Sequence, residues 1–390
     1  MRRIMIVYGT RPEAIKIAPL VPRLAESPHF EPVVAVTGQH RELLDQVNDV
    51  FGIRPDFDLD LLTRGQTLAE ITSRATRDLD ELLERVKPEA VVVQGDTTTT
   101  LVGALTAFYR QIPVVHLEAG LRTHDPLSPF PEEINRRLTT QLTDLHLAPT
   151  PESRDNLLNE SVSPESVVVT GNTVIDALLT ASRTELPFAE PRLAGLSDDR
   201  QVLVVTAHRR ESWDGGIEAI ARALAEVADR QPDLDIVFPI HPNPVVRDAV
   251  LPYLAERSNV LVTEPLAYGD FARLLRRAHL VLTDSGGIQE EAPSLGTPVL
   301  VTRDNTERPE AIQAGTAALV GTDEARIVQT VLTLVRSPRE HRRMATAINP
   351  YGDGRAADRA VAALDHRFGL GPPAEPFTGQ EVRQKGASPW

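Results

Sequence analysis

The chain contains no cysteine. Disulfides, Cys-ligated zinc and thiol nucleophiles are therefore excluded. It also lacks any apolar run of about 18 residues, the length a transmembrane helix needs. Positive charge is in deficit: 41 Lys and Arg against 55 Asp and Glu leave a net charge of −14. Such a chain is not a general binder of nucleic acid or anionic membrane, although a local basic pocket for a phosphorylated ligand stays open. No Gly-x-Gly-x-x-Gly follows a strand, so NAD is not signalled, and there is no P-loop, nucleophile elbow or His metal motif. The start, Met1 to Tyr8, has two basic residues and a short apolar run. Gly9-Thr-Arg-Pro12 follows instead of a small-residue cleavage site, so this segment reads as a first strand, and a cytoplasmic protein is expected.

What is present is a long α/β pattern. At 390 residues the chain exceeds a usual single core, and two domains of about 150–200 residues are expected. Short β-branched runs at 4–8, 33–37, 91–94, 114–117, 145–148 and 167–170 alternate with helical spacing. After a gap they resume at 202–206, 236–239, 260–262, 280–283 and 299–301. Continuous apolar runs separated by helices indicate parallel strands covered on both faces. The fold class is therefore α/β, with two doubly wound Rossmann-like domains over 1–180 and 201–368. The polar, Pro-bearing stretch 181–200 reads as the linker, and 371–390 as a disordered tail.

Polar residues recur where strands end. Arg11, Asp96 and Glu118 do so in the first half, and His208, His241 and Ser285 in the second. Ligands of open parallel sheets bind outside the carboxyl ends of strands. If two such domains face each other, all six look into one interdomain cleft. Asp284-Ser-Gly-Gly-Ile-Gln-Glu-Glu291 follows an apolar run and opens a helical segment. Backbone N–H groups at Ser285, Gly286 and Gly287 could hold a diphosphate, and carboxylates one to two turns on could reach a ribose. Thr206-Ala-His-Arg-Arg-Glu211 offers His208 and Arg209 to a phosphate.

Gly9-Thr-Arg-Pro-Glu-Ala-Ile-Lys16 is a strand-to-helix turn in which Thr10 can cap and Pro12 suits the first turn. Arg11 and Lys16 lie near a positive helix end, against the plain alternative of a capped helix with a solvated Lys. Asp96 has an ordinary alternative too, as a helix N-cap. Three carboxylates, Asp96, Glu118 and one of Glu132 or Glu133, are available for acid/base work, and crowding would drive their pKa values apart. Asp56-Phe-Asp-Leu-Asp60 has the D-x-D form of a metal motif but does not end a buried strand; no metal site is assigned to it.

Together these motifs resemble the non-hydrolysing UDP-N-acetylglucosamine 2-epimerase family. The blocks are Gly9–Lys16, Gln94-Gly-Asp96, His116-Leu-Glu-Ala-Gly-Leu-Arg-Thr123, Pro131-Glu-Glu-Ile-Asn-Arg136, His208-Arg-Arg-Glu211, Asp284 to Pro293 and Arg308-Pro-Glu310. They run in order from about Met1 to Leu370. The resemblance implies the glycosyltransferase-B architecture, with the last helix returning to the first domain, and a homodimer. It implies reversible C2 epimerisation of UDP-GlcNAc to UDP-ManNAc by anti elimination of UDP, through 2-acetamidoglucal, with no cofactor.

Matched by position, Asp96, Glu118 and Glu132 are the acid/base candidates, Lys16 supports the sugar, and His208 joins Arg11, Ser285 and Gly286 at the diphosphate. Glu291 would hold the ribose, Phe271 would lie near the uracil, and Arg308 would face sugar or phosphate. Many relatives carry a second UDP-GlcNAc as activator. Here its two runs read Gln39-His-Arg-Glu42 and Gly65-Gln-Thr-Leu68, each departing from the family pattern, while Gln39, Gln66, Arg209 and His241 remain. Activation is left open. The rival readings are an epimerase for another UDP-2-acetamido sugar, such as a 2,3-diacetamido uronic acid, a hydrolysing variant, a glycosyltransferase of the same architecture and a non-catalytic UDP-sugar sensor.

Overall fold

The apolar runs become buried parallel strands. The computed structural model describes the chain apart from residues 39–40, 62–64, 185–186, 210–212, 214 and 380–390, and apart from the side chains of 41–43. It divides into two units, Met1–Ala177 with the segment from Tyr351 onward, and Leu178–Pro350. The first unit holds β1 (Arg2–Tyr8), β2 (Phe30–Val36), β3 (Phe57–Asp58), β4 (Ala90–Gln94), β5 (Val114–Leu117), β6 (Leu145–Ala148) and β7 (Val167–Val169). The second holds β8 (Gln201–Thr206), β9 (Leu234–Pro239), β10 (Val260–Thr263), β11 (Leu280–Thr283), β12 (Val299–Val301) and β13 (Ala317–Leu319).

Both sheets are parallel throughout, in the orders β3-β2-β1-β4-β5-β6-β7 and β10-β9-β8-β11-β12-β13. Each order reverses once, between β1 and β4 and between β8 and β11. A reversal leaves a crevice at the carboxyl ends, because the connections on either side run away from it. These are two Rossmann-type sheets in one chain, the combination found in the glycosyltransferase-B architecture. β3 and β13 had no apolar signal: one is two residues long, and Ala317-Ala-Leu319 has no β-branched residue to mark it.

Asp56 and Asp58 flank and belong to the short β3. Asp56 Oδ2 accepts the Val34 N–H at 2.8 Å, and Asp58 Oδ1 accepts that of Asp60 at 3.0 Å. The Asp-x-Asp run thus closes an edge-strand turn. Helix Thr173–Ser182 crosses the division between units, and 187–200 contains only a short 3-10 turn, Pro191–Gly195.

Helix Ala356–Arg367 lays Ala360, Ala363 and Leu364 into the core formed by Ile4, Ile6 and Phe30. Asp176 accepts the N–H groups of Ala356 and Ala357 at 3.2 and 2.9 Å, fixing the helix start. The stretch after it departs from expectation in its described part. Phe377 is buried, its N–H bonds Val169 O at 2.7 Å, and the Arg359 guanidinium lies over its ring. One aromatic side chain on a sheet edge is enough to order a polar, Pro-rich segment, because burying it offsets the ordering entropy. Among the described residues no helix is long and apolar enough to cross a membrane.

Candidate functional site

In the first unit the turns after β1, β4 and β5 are tied together by buried carboxylates. Thr10 caps helix Arg11–Ile17 and forms a capping box with Glu13. Glu13 does more than cap. Its Oε2 accepts the N–H groups of Gly9 and Thr10 at 3.0 and 2.7 Å, and its Oε1 accepts the hydroxyls of Thr97 and Thr100 at 2.7 and 3.1 Å. It therefore clamps the turn after β1 to the turn after β4. Burial raises its pKa against the pull of its bonds with Thr97, Gly9 and Thr10.

Asp96 is not the helix cap. Thr97 caps helix Thr98–Tyr109, which leaves the Asp96 carboxylate to pair with the Arg136 guanidinium. Arg136 also donates from Nη1 to Glu118 O at 2.8 Å, so one buried cation bridges the strand-end turns of β4 and β5. Asn135 Nδ2 bonds Asp96 O at 3.0 Å.

Glu118 is buried and sits at φ 64°, a left-handed conformation that costs a non-glycine residue about 1–3 kcal/mol and persists only where surroundings enforce it. The enforcing contacts are Lys16 Nζ on Oε1, Gln94 Nε2 on Oε2 at 2.7 Å and Asn172 Nδ2 on Oε1 at 3.2 Å. His116 Nε2 donates to Gly95 O at 2.7 Å; a carbonyl only accepts, which fixes the tautomer. Burial drives its pKa down to about 3, so the ring is neutral.

The two neighbouring glutamates part company. Glu133 accepts the N–H groups of Thr123 and His124 and pairs with Arg137. Burial works against these bonds, but they hold its pKa below the usual carboxylate range. Glu132, half-buried at the start of helix Glu132–Leu142, has no hydrogen bond or ion pair among the described residues. Arg11 is likewise half-buried, and its guanidinium has no hydrogen bond or ion pair among the described residues. Arg122 pairs with Glu160 at 2.7 Å. Gln66 sits in the turn before helix Leu68–Val86, and Gln39 lies outside the described residues.

In the second unit Asp284, fully buried at the end of β11, organises the turn after β8. Its Oδ2 accepts the N–H groups of His208 and Arg209 at 2.6 and 2.7 Å. Its Oδ1 is 2.8 Å from His208 Nδ1, within ion-pair distance although not aligned as a hydrogen bond. Burial would raise the Asp284 pKa, but the His208 ring and the two N–H groups outweigh it and hold it low. The His208 and His241 rings lie near parallel with centroids 6.1 Å apart.

Ser285 precedes helix Gly286–Glu291 but makes no side-chain cap, which leaves its hydroxyl available to a ligand. The Glu291 carboxylate folds back to 3.6 Å from where a Cβ on Gly287 would stand. Arg308 pairs with Glu290, and Phe271 is half-buried on helix Tyr268–Arg277.

Each sheet thus gathers its own candidates at its order reversal. Lys16, Asp96 and Glu118 come together in one, and His208, Arg209, His241 and Ser285–Gly287 cluster by strand end in the other. Sequence reasoning missed Glu13, Gln94, Asn172, Arg136 and Asp284 as supports. The Thr10-x-x-Glu13 capping box was a signal for the first of these. The others contact their targets only through the fold.

A family model described as UDP-N-acetylglucosamine 2-epimerase matches residues 22–365. The chain is 52% identical over 375 residues to the UDP-N-acetylglucosamine 2-epimerase of Escherichia coli K12, covering 93% of this chain and 98% of that one. It is similar to the crystal structure of UDP-GlcNAc 2-epimerase from Neisseria meningitidis bound to UDP-GlcNAc, with TM-score 0.81, 46% identity and coverage of 93% and 99%. The glycotransferase of kitacinnamycin, at 15% identity and TM-score 0.62 over 95% and 99% of the two chains, shares the fold alone.

Proposed function

The chain belongs to the UDP-N-acetylglucosamine 2-epimerase family, and from that premise we propose that this enzyme interconverts UDP-GlcNAc and UDP-ManNAc without hydrolysing either. The observation that carries the reading is the pair of carboxylates Asp96 and Glu118 on neighbouring strand ends, joined by Arg136. A C2 proton is not α to a carbonyl and is weakly acidic. It becomes removable when positive charge develops at C1 as the diphosphate departs. A carboxylate takes the C2 proton, the C1–O bond to the β-phosphate breaks, and a C1–C2 double bond forms, giving 2-acetamidoglucal and UDP. Return of a proton to the opposite face of C2, with the UDP oxygen re-forming the bond to C1, gives the epimer. Nothing is oxidised or reduced.

Two proton-transfer groups on opposite faces are required. Asp96, Glu118 and Glu132 are the candidates; Glu132 is favoured over Glu133 because Glu133 is already fully engaged by the 123–124 turn and Arg137. Lys16 supports the sugar beside Glu118. In the second unit His208, Ser285 and Gly286 take the diphosphate, and charge on the leaving group is met by fixed donors. Glu291 holds the ribose, Phe271 the uracil and Arg308 the sugar or phosphate. Gln66 and His241 are the remaining candidates for a second, activating UDP-GlcNAc, and Arg209 is a candidate for either diphosphate.

The test is proton NMR of UDP-GlcNAc with the enzyme in D2O. UDP-ManNAc carrying deuterium at C2 is expected, with no free sugar. Free ManNAc with equimolar UDP would mean hydrolysis, and no exchange at all would sink this substrate assignment. Asp96→Asn is expected to abolish exchange while UDP still binds; surviving turnover would remove Asp96 from the chemistry.

A further inference from the structure

Glu307 lies on the turn after β12, and its carboxylate reaches the turns after β8 and β11. Oε1 is 2.8 Å from Nη2 of Arg209 on the turn after β8. The same oxygen lies 3.2 Å from the point a Cβ on Gly286 would occupy, after β11. Oε2 accepts from Arg303. The three turns follow β8, β11 and β12, which stand side by side in the sheet, so the carboxylate spans the crevice at the order reversal, where such sheets take phosphates. A glycine at 286 is what permits the approach. Partial burial alone would raise the Glu307 pKa, but Arg303 and Arg209 outweigh it and hold the group at about 2, fully ionised.

An ionised carboxylate and a diphosphate cannot share one guanidinium and one backbone approach without repulsion. Resting on the reading of this unit as the UDP-binding half, we propose that Glu307 is an internal competitor for the nucleotide diphosphate, seated on Arg209 and against Gly286 until the nucleotide displaces it. The competing idea, that Glu307 merely aims Arg209 at the phosphate, predicts the opposite sign for its removal.

Calorimetric titration of UDP into the wild type and Glu307→Gln separates the two. Loss of the competing charge is expected to tighten UDP binding about fivefold, the scale of a half-exposed ion pair and its repulsion, with uridine affinity unchanged. Glu226→Gln, on the remote helix Gly216–Arg230 where Glu226 pairs with Arg230, should leave UDP affinity as it was. Weaker or equal UDP binding by Glu307→Gln overturns the proposal. If that variant does not fold, Glu307→Asp, which withdraws the carboxylate by one methylene, must bind UDP tighter than the wild type or the proposal falls. Wild-type protein that binds neither UDP nor uridine would defeat the nucleotide reading itself, and the competitor with it.

Discussion

At the scale of single residues, the first unit is held together by groups that serve two masters. Arg136 neutralises Asp96 and bonds the Glu118 carbonyl from one planar fork. A flexible ammonium cannot make both contacts at once. Arg136→Lys is therefore expected to behave like Arg136→Met, each lowering turnover about a hundredfold while UDP affinity changes little. Initial rates by NMR and UDP titration would check this; a Lys variant with wild-type turnover would show that charge alone suffices. Residues of this kind explain what a sequence hides. Asp96 and Glu118 were legible because each follows a strand close to a telltale Gly or Thr; Lys16 was legible as part of the helix that Thr10 and Pro12 open, although it lies in the last turn of that helix and not at its positive end. Arg136 and Asn172 were not, since an Arg inside Glu-Glu-Ile-Asn-Arg-Arg reads equally well as ordinary helix electrostatics. Only the sheet order brings Asn172 to Glu118.

At the scale of elements, most strands could be read from apolar runs because parallel strands are buried on both faces. What those runs concealed is polar content inside them. β5 and β6 each carry a buried histidine, His116 and His146, directly opposite one another in register. Burial depresses both, to about 3 and about 4. The sign follows from proton binding. Between those values and the unfolded value near 6.5 the unfolded chain binds more protons, so stability from these strands is full above about pH 6.5 and is lost as pH falls. The loss is about 1.4 kcal/mol per pH unit for each histidine at most. Urea unfolding at pH 7, 6 and 5 should show a declining midpoint, and His146→Gln should flatten the decline. An unchanged slope in that variant would mean the ring is hydrated in the native state. The tail is the opposite case: its composition gave no hint that Phe377 would dock on β7, because a single buried aromatic leaves no periodicity to read.

At the scale of the whole molecule, a chain of net charge −14 should repel its own copies, yet one face offers a reason to associate. Leu127, Phe130, Ile134 and Leu138 are 74, 63, 38 and 49% exposed on one loop and the helix that follows it. Ile134 and Leu138 stand four apart, on one side of that helix. Its packed neighbour, helix Thr98–Tyr109, ends in exposed Phe108 and Tyr109. Large apolar side chains exposed in this way on a charged surface fit an association site, and the homodimer that the resemblance implies is expected to use them. The consequence reaches back to the chemistry, because the same helix begins with Glu132 and carries Arg136 on its buried side. Sedimentation equilibrium of the wild type should give twice 42.8 kDa, and Leu138→Glu should give the monomer with its unfolding midpoint nearly unchanged, since the side chain is half exposed. That monomer, altered nowhere near the substrate, should turn over about ten- to a hundredfold more slowly, because a helix freed on its outer side no longer holds its carboxylate and guanidinium to within the fraction of an ångström that proton transfer demands. A wild-type monomer, or a Leu138→Glu dimer, would remove the patch from assembly; a fully active monomer would break the link between assembly and the site.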